Sequence, residues 1–183
     1  MSDSTELDRK LIYHCRVFDV YEGDAQLPDG RIFKQSWIDH RPCIAVVPVN
    51  SDGNLVLIRQ YRHATGGMIV EIPAGNMDRD GESVEDCVQR ELAEEIGFRA
   101  GRLIPLFEGY LVPGYCNEYM YFYLALDLHP ASLPGDEDEY IRLMTVSFAE
   151  ARRMIREKEI IDTKTALGIQ MARDLLEPVS GGR

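Results

Sequence analysis

Two glutamates, Glu91 and Glu95, stand four residues apart in a stretch with helical periodicity. At about 100° per residue, a helix over this stretch places both carboxylates inside its apolar arc instead of opposite it. The arc is formed by Val84, Cys87, Val88, Leu92 and Ile96. Like charges turned toward a protein core are costly unless a cation compensates them. The pattern therefore favours a hard divalent cation with oxygen ligands, Mg²⁺ or Mn²⁺.

The ends of this helix carry residues typical of helix termini. Ser83 predicts the N-cap, and Gly97 supplies the left-handed residue that ends a helix. Before the helix, residues 71–77 lead from a strand end into a loop whose carbonyls are candidate metal ligands. Glu82 is placed to hold Arg90. The alternative is that the helix glutamates lie in water at the edge of the arc, with Arg90 pairing one of them.

Residues 75–98 resemble the Nudix box, G-x5-E-x7-R-E-U-x-E-E-x-G-U, in which U is aliphatic. The matching residues are Glu82, Arg90, Glu91, Leu92, Glu94, Glu95, Gly97 and Phe98. One departure lies in the loop, where the six residues 76–81 separate Gly75 from Glu82 and the family has five. The resemblance predicts that the helix ligands are kept and that the loop is one residue longer.

The resemblance extends over roughly residues 40–172 and is to the ADP-ribose pyrophosphatase branch of that family. Pro113 lies sixteen residues beyond Gly97, where this branch has its hallmark proline. The other similar segments are residues 56–62, 71–75, 113–115 with Glu118, and 161–165. The first forty residues match only in forming an antiparallel N-terminal annex.

The resemblance implies metal-dependent hydrolysis of the pyrophosphate bond of nucleoside diphosphate sugars. ADP-ribose is the first expected substrate, with a nucleoside monophosphate and a sugar phosphate as products. GDP-mannose or another hexose conjugate is the second. Two or three Mg²⁺ ions per site, or Mn²⁺ in their place, are implied, with Glu91, Glu95 and the Ala74 carbonyl as ligands.

The resemblance also implies roles for residues outside the metal ligands. The catalytic set is Glu139, Glu137, Glu94 and Arg90, with Glu139 the first choice and Glu137 the second for a base on a mobile loop before a late strand. The substrate-binding set is Trp37, Arg41, Arg59, Arg62, Glu71 and Glu118. Trp37 is expected to stack on a nucleobase, with packing as the alternative, and Arg59 and Arg62 suit contacts to pyrophosphate.

Two other classes of protein compete with this interpretation. An EF-hand calcium loop fits Asn76, Asp78, Asp80 and Gly81, but its twelfth position is Cys87 instead of the bidentate glutamate. The other class is a Nudix-fold module that binds a nucleotide without cleaving it. Such a module is expected to lack metal-ligand carboxylates, and the box here keeps them.

The elements that must position these residues follow from local pattern. Apolar and polar residues alternate on both sides of the turn at residues 27–30, which predicts a hairpin. Further strands are predicted over 43–49, 55–61, 68–72, 103–111, 119–128 and 140–147, and helices over 83–96, 148–158 and 163–176. This order predicts an α/β (α+β) fold, a Nudix-type α/β/α sandwich around a mixed sheet with an N-terminal antiparallel hairpin annex.

The predicted domains are a β annex over residues 1–41 for dimerisation and substrate contacts, a Nudix hydrolase domain over 42–178, and a frayed tail over 179–183. The annex carries more aromatic surface than so small a segment buries alone, and members of the resembled branch are commonly dimers that exchange such segments. We therefore expect a homodimer with exchanged N-terminal segments.

The charge and composition of the chain limit which partners and which cellular location are expected. The net charge of −11 repels a phosphate backbone, so neither nucleic acid nor an anionic membrane is an expected partner. The four cysteines show no C-x-x-C spacing and lie among apolar neighbours, which favours reduced, buried thiols. The N-terminus is polar and acidic, and no apolar run approaches the roughly 20 residues that span a bilayer. We expect a cytoplasmic protein.

Overall fold

The computed structural model describes residues 5–134 and 140–176 of the chain. Its mixed sheets and helices confirm the predicted fold class. The described residues cluster into two compact units. The first comprises the residues up to Pro42 together with Gly109–Met120, and the second comprises Cys43–Glu108 and the residues from Tyr121 onward. Gly109–Met120, which the sequence analysis assigned to the hydrolase domain, thus groups with the N-terminal residues, and the expected tail lies outside the described residues.

The first unit is an antiparallel sheet built on one central strand. Its strands are β1 (Thr5–Glu6), β2 (Lys10–His14), β3 (Phe18–Gln26) and β4 (Ile32–His40). β3 pairs with β4 along its whole length, while β1 and β2 pair with β3 as well. Gly30 takes a φ of 87° in the turn between β3 and β4, and this confirms the predicted hairpin.

The second unit has two sheets and the helices. Its strands are β5 (Cys43–Pro48), β6 (Leu55–Arg62), β7 (Gly67–Glu71), β8 (Ala74–Asn76) and β11 (Ile141–Val146). Two further strands, β9 (Phe98–Tyr110) and β10 (Tyr119–Pro130), contain residues of both units. The helices are α1 (Val84–Glu91), α2 (Phe148–Arg156) and α3 (Thr163–Leu176). Short helical turns cover His63–Thr65 (3₁₀) and Leu92–Ile96 (π). One sheet has the order β8-β5-β10-β9 and the other the order β11-β6-β7.

The apolar core explains where α1 lies. Cys87 and Val88 of α1, and Leu92 and Ile96 of the π-helical turn after it, are buried together with residues of β5 and β6. This packing follows from the apolar arc predicted from the sequence. Because Glu91 and Glu95 lie on the same arc, they are drawn toward the protein interior, and each is 8% exposed.

Both ends of this helical segment are confirmed. Ser83 is the N-cap of α1, and its Oγ accepts a hydrogen bond from the backbone N of Asp86 at 3.1 Å. Gly97 ends the π-helical turn with a φ of 75°, a conformation that strains any residue with a Cβ. The wider π turn carries Glu94 and Glu95, and such turns occur often at functional sites.

Two further expectations concern thiols and membranes. All four cysteines belong to the described residues, and each is a free thiol. None of the helices described here is both long and apolar enough to cross a bilayer.

Candidate active site

A buried guanidinium organises the carboxylates of the box. Arg90 donates to both carboxylate oxygens of Glu82, from Nε at 2.8 Å and from Nη2 at 3.0 Å. Its Nη1 donates to Glu91 Oε1 at 2.5 Å and to Glu94 Oε2 at 3.0 Å. The predicted Glu82–Arg90 pair is therefore confirmed, and one arginine holds three carboxylates. A planar guanidinium suits this task because its donors point in fixed directions.

The electrostatics of this pair follow from the same contacts. Hydrogen bonding by Arg90 holds the pKa of Glu82 below its ordinary value, although burial opposes the shift. The hydrogen bond with Glu82 in turn raises the pKa of Arg90 above its ordinary value. Both groups are therefore ionised at neutral pH, and the charges that orient Glu91 stay in place.

The carboxylate of Glu91 fills the space beside Gly75. A Cβ added to Gly75 would stand 1.9 Å from Glu91 Oε1 and 2.0 Å from its Cδ. No side chain fits there while Glu91 keeps its position. Glycine at this position thus lets the strand backbone and a carboxylate approach each other closely.

Glu95 and Glu94 are held by different partners. Glu95 Oε2 accepts a hydrogen bond from the backbone N of Ala74 at 3.1 Å. Glu94 Oε1 accepts from Arg79 Nη2 at 3.0 Å, in addition to the bond from Arg90. Glu91 and Glu95 therefore adjoin consecutive residues of the same strand, β8.

The strand that carries this loop is fixed from both sides. β8 pairs with β5, with Ala74 opposite Ala45 and Asn76 opposite Cys43. The Cys43 thiol donates to Asn76 Oδ1 at 3.1 Å, and Arg90 Nη2 donates to the Asn76 carbonyl at 3.1 Å. The longer loop thus begins at Asn76, whose side-chain oxygen and backbone carbonyl both accept hydrogen bonds.

The buried thiol of Cys87 lies beneath the arginine. Arg90 Nη2 donates to Cys87 Sγ at 3.2 Å, three residues earlier on the same helix. Burial raises the pKa of this thiol to about 12, so it stays protonated at neutral pH. Cys87 thereby supports Arg90 without adding charge.

The donor set fits divalent cations. Four carboxylates, those of Asp78, Glu82, Glu91 and Glu94, lie around the two guanidinium groups of Arg79 and Arg90, and that of Glu95 adjoins the Ala74 backbone. The excess of negative charge is partly buried, and hard cations with oxygen ligands compensate such an excess. Glu91 and Glu95 supply carboxylate oxygens beside β8, where the backbone approaches them most closely.

A second ion network lies at the end of β7. Glu71 is only 1% exposed, and its carboxylate accepts from Arg62 Nε at 2.8 Å and from Arg62 Nη2 at 2.9 Å. Lys164 of α3 also donates to Glu71 Oε2. Burial by itself raises the pKa of Glu71, but Arg62 and Lys164 together outweigh it and hold the pKa below its ordinary value. The carboxylate of Glu71, for which the sequence predicts a substrate contact, is thus held by two protein cations.

The start of α3 ties this network to the backbone before β8. Lys164 Nζ donates to Asp162 Oδ2 at 2.9 Å, and Asp162 caps the helix by accepting from Thr165 N at 3.0 Å. Thr165 Oγ1 accepts from the backbone N of Ile72 at 2.8 Å. Ile72 precedes Ala74 by two residues, so one helix start holds both Glu71 and the entry to the metal loop.

The remaining sequence-predicted residues lie elsewhere. Arg59 is exposed on β6, opposite Arg142 of β11. Trp37, Arg41 and Glu118 belong to the first unit. The two candidate bases, Glu137 and Glu139, lie outside the described residues.

Trp37 is already stacked within the first unit. Its ring lies 5.7 Å from that of Tyr21 on the paired strand, with 23° between the ring planes. The Arg9 guanidinium lies 4.5 Å from the centroid of the same tyrosine. One face of the Trp37 ring thus packs against Tyr21, as the packing alternative predicts.

The EF-hand alternative does not fit the structure. Asn76, its first position, ends the strand β8, so no helix precedes the loop. Cys87, its twelfth position, is fully buried and contacts Arg90. A calcium loop of this kind needs a helix before it and a carboxylate at its end.

Three contributors to the site were absent from the sequence-based set. They are Lys164, Arg79 and Cys87. Cys87 stands one helical turn before Arg90, which is a spacing the sequence shows. Lys164 lies 93 residues from Glu71, and no local pattern indicates that pairing.

Comparison with known proteins agrees with this geometry. The NUDIX domain family matches residues 39–164. The chain belongs to the NUDIX family, and it is an enzyme of that family. Nudix hydrolases are in general metal-dependent.

Individual relatives narrow the comparison to one branch. The chain is 34% identical over 164 residues to the ADP-ribose pyrophosphatase of Bacillus subtilis (strain 168), covering 88% of each protein. It is 37% identical over 131 residues to the GDP-mannose pyrophosphatase of Yersinia pestis (strain Pestoides F), covering 66% of this chain and 65% of that protein. A solved structure described as an ADP compounds hydrolase has a TM-score of 0.87 and 27% identity, with coverage of 98% and 97%.

We expect Glu71→Gln to destabilise the fold, because two cations then face a buried neutral group. The loss at pH 7 should be about 3–5 kcal/mol in urea unfolding, the range for breaking a buried ion pair. Since the pKa of Glu71 is lowered in the folded state, its stabilisation is present above the ordinary value of 4.5 and is lost as pH falls through the lower folded pKa.

The difference between wild type and Glu71→Gln should therefore shrink as the pH falls below 4.5. Glu22→Gln is the matched control, since Glu22 is only partly buried and its Oε1 lies 3.4 Å from Lys34 Nζ. It should cost less than about 1 kcal/mol. A gap that stays constant from neutral to acid pH would contradict the assignment.

Proposed function

We propose that the protein hydrolyses the pyrophosphate bond of nucleoside diphosphate sugars, with ADP-ribose as the first substrate. The observation that carries this proposal is the pair of buried carboxylates, Glu91 and Glu95, packed against β8 beside Arg90. The relatives named for ADP-ribose and for ADP compounds support the choice of substrate. The products are a nucleoside monophosphate and a sugar phosphate.

The reaction places specific demands on the site. A water oxygen forms a bond to one phosphorus while the bond from that phosphorus to the bridging oxygen breaks. The bridging oxygen leaves with the electron pair on the second phosphate, and the water proton passes to a base. When bound, divalent cations would neutralise charge on the phosphate oxygens and favour ionisation of the water. Mg²⁺ is our first choice and Mn²⁺ the second, at two or three ions per site.

The protein groups around these ions have two roles, binding the ions and orienting the ligands. Glu91, Glu95 and the Ala74 carbonyl are the proposed ligands, with Glu94 as an accessory. Arg90 orients Glu91 and Glu94, and Glu82 keeps Arg90 in place from the opposite side. Every one of these groups is held before substrate arrives, and such preorganisation lowers the cost of reaching the transition state.

The proposed substrate contacts come from β6 and from residues of the first unit. Arg59 and Arg62 suit the pyrophosphate, because guanidinium groups bind phosphate oxygens in pairs. In the first unit, Trp37 is proposed to stack on the base, and Arg41 and Glu118 to contact the nucleotide. Tyr21, stacked on Trp37, would support one face of that ring.

GDP-mannose is the second candidate substrate. The relative named for GDP-mannose has the higher identity, 37%, but it matches a shorter part of the chain. That difference favours ADP-ribose, whose named relative matches 88% of the chain. A panel of ADP-ribose, GDP-mannose and other nucleotide sugars with Mg²⁺, read by product chromatography, decides between them.

We predict the highest kcat/KM for ADP-ribose in this panel and a turnover loss on the order of 10²–10⁴ for Glu91→Gln and Glu95→Gln. Both changes keep the size of the side chain and remove its charge. Glu85→Gln on the exposed side of the same helix is the matched control and should retain wild-type turnover. Nucleotide binding without turnover in the wild type would instead favour the non-catalytic module.

The base is proposed to be Glu139, with Glu137 second. Glu91 and Glu95 are poor proton acceptors once they ligate cations, so a carboxylate away from the metal is better suited. We expect Glu139→Gln to lose on the order of 10²-fold in turnover while binding persists, and Glu137→Gln, the variant of the second candidate, to show no comparable loss. Unchanged pH profiles in both variants would return the role to Glu94, or to divalent cations that would favour ionisation of the water without a protein base.

A cytoplasmic homodimer with exchanged N-terminal segments completes the proposal. Leu11, Ile12, Tyr13 and Ile32 of the first unit are each about half exposed, at 48%, 53%, 56% and 62%. Apolar surface of this kind favours association with a second copy. Light scattering should give twice the mass of the 20.8 kDa chain, and Ile12→Glu should lower it. A fully active monomer would contradict the proposal.

A further inference from the structure

Among the described residues, Glu71 is the most buried charged side chain outside the carboxylates around Arg90, and its partners indicate a role for it. Arg62 is 39% exposed and projects from the end of β6, while the Glu71 carboxylate that it grips is 1% exposed. Lys164, at 11% exposure, grips the same carboxylate from α3. A buried acid is thus shared between one cation that reaches the surface and one that does not.

We propose that Glu71 and Lys164 are positioning residues, which together set the guanidinium of Arg62 in the orientation that receives the substrate pyrophosphate. The inference rests on the proposed function, because it requires that Arg62 binds the pyrophosphate of the substrate. It goes further in naming two residues that do not touch the substrate.

The fork between Arg62 and Glu71 provides the orientation. Nε and Nη2 of Arg62 donate to separate oxygens of the carboxylate, at 2.8 Å and 2.9 Å. Two parallel bonds fix both the position and the plane of a guanidinium, which a single bond does not. The ordering of a long, partly exposed side chain then precedes substrate binding and adds little to its cost.

Lys164 provides the orientation of Glu71 itself. It donates to Glu71 Oε2 and to Asp162 Oδ2, so it joins the buried carboxylate to the N-cap of α3. Thr165, the next residue, accepts from Ile72 N and donates to Asp162 Oδ2. The start of α3 therefore fixes both the orientation of Arg62, through Lys164 and Glu71, and the backbone that leads to Ala74.

A purely structural clamp makes a different prediction from a positioning role. If Lys164 only fastens α3, its loss lowers activity by the same factor whether or not Arg62 is present. If Lys164 acts through Arg62, its loss has no further effect once Arg62 is gone. A double-mutant cycle distinguishes the two.

The cycle uses the full chain with Mg²⁺ and ADP-ribose, and compares Arg62→Ala, Lys164→Met and the double variant. We expect kcat/KM to fall on the order of 10²-fold for Arg62→Ala and about tenfold for Lys164→Met, mostly through KM, with the double variant within about threefold of Arg62→Ala. Arg173→Met removes a cation that pairs with Asp174 on the same helix and should behave as wild type.

A second measurement reads Arg62 without any turnover. In ¹H–¹⁵N spectra, the Arg62 Nε–H signal should exchange slowly with water in the wild type and at least about tenfold faster in Lys164→Met, with no change in Arg173→Met. Glu71→Asp, which keeps the charge and shortens the reach, should give the same acceleration. This variant keeps the test available if Lys164→Met fails to fold.

The outcomes separate the two proposals. Losses that multiply in the double variant, or an Arg62 signal unchanged by Lys164→Met and Glu71→Asp, would overturn the positioning role alone. Arg62→Ala with wild-type kcat/KM would overturn that role together with the phosphate contact. If the wild type hydrolyses no nucleotide sugar, the proposed function fails, and the exchange measurement still decides whether Glu71 and Lys164 order Arg62.

Discussion

The buried guanidinium of Arg90 is the interaction on which the rest of the site depends. Carboxylates on one side of a short helix repel one another, and their burial between α1 and β8 adds a desolvation cost. Arg90 offsets both effects by donating to Glu82, Glu91 and Glu94, and by holding the Asn76 carbonyl at the end of β8. The helix and the loop are thereby joined through one side chain. Without this cation, the carboxylates of Glu82, Glu91 and Glu94 would face one another uncompensated, and the Asn76 carbonyl would lose its hydrogen bond from Arg90.

The two charged networks of the second unit differ in their balance, and this difference indicates their tasks. Around Arg90 the carboxylates outnumber the guanidinium groups, so the cluster retains negative charge that divalent cations can neutralise. Around Glu71, in contrast, Arg62 and Lys164 face Glu71 and Asp162, two cations against two acids. A balanced network has no excess negative charge for a divalent cation to neutralise, and it serves to hold groups in position. Thr165 and Ile72 connect this rigid network to the strand end from which the metal loop starts.

Several close contacts of the site are concentrated at β8. Gly75 leaves the space that the Glu91 carboxylate occupies, and Asn76 takes hydrogen bonds from Cys43 and Arg90. The additional loop residue relative to the Nudix box therefore follows a strand end that is held on both faces. The buried Cys87 thiol completes the arrangement by contacting Arg90 without introducing charge. Insertion into a loop is tolerated when the elements on either side are fixed independently of its length.

Local pattern was sufficient for much of this protein. The helix from Ser83 to Gly97, the burial of Glu91 and Glu95 on its apolar side, the hairpin at Gly30 and the Glu82–Arg90 pair all follow from residue types at short separations, because caps, periodicity and turns act within a few residues. The enclosure of Glu71 does not follow from such patterns. Its partners, Arg62 and Lys164, lie on β6 and at the start of α3, and only the packing of α3 against the sheet brings Lys164 to a carboxylate 93 residues earlier in the chain. The close approach of Gly75 to Glu91 was likewise decided by tertiary structure, since it depends on the pairing of β8 with β5 and on the position of α1 against both.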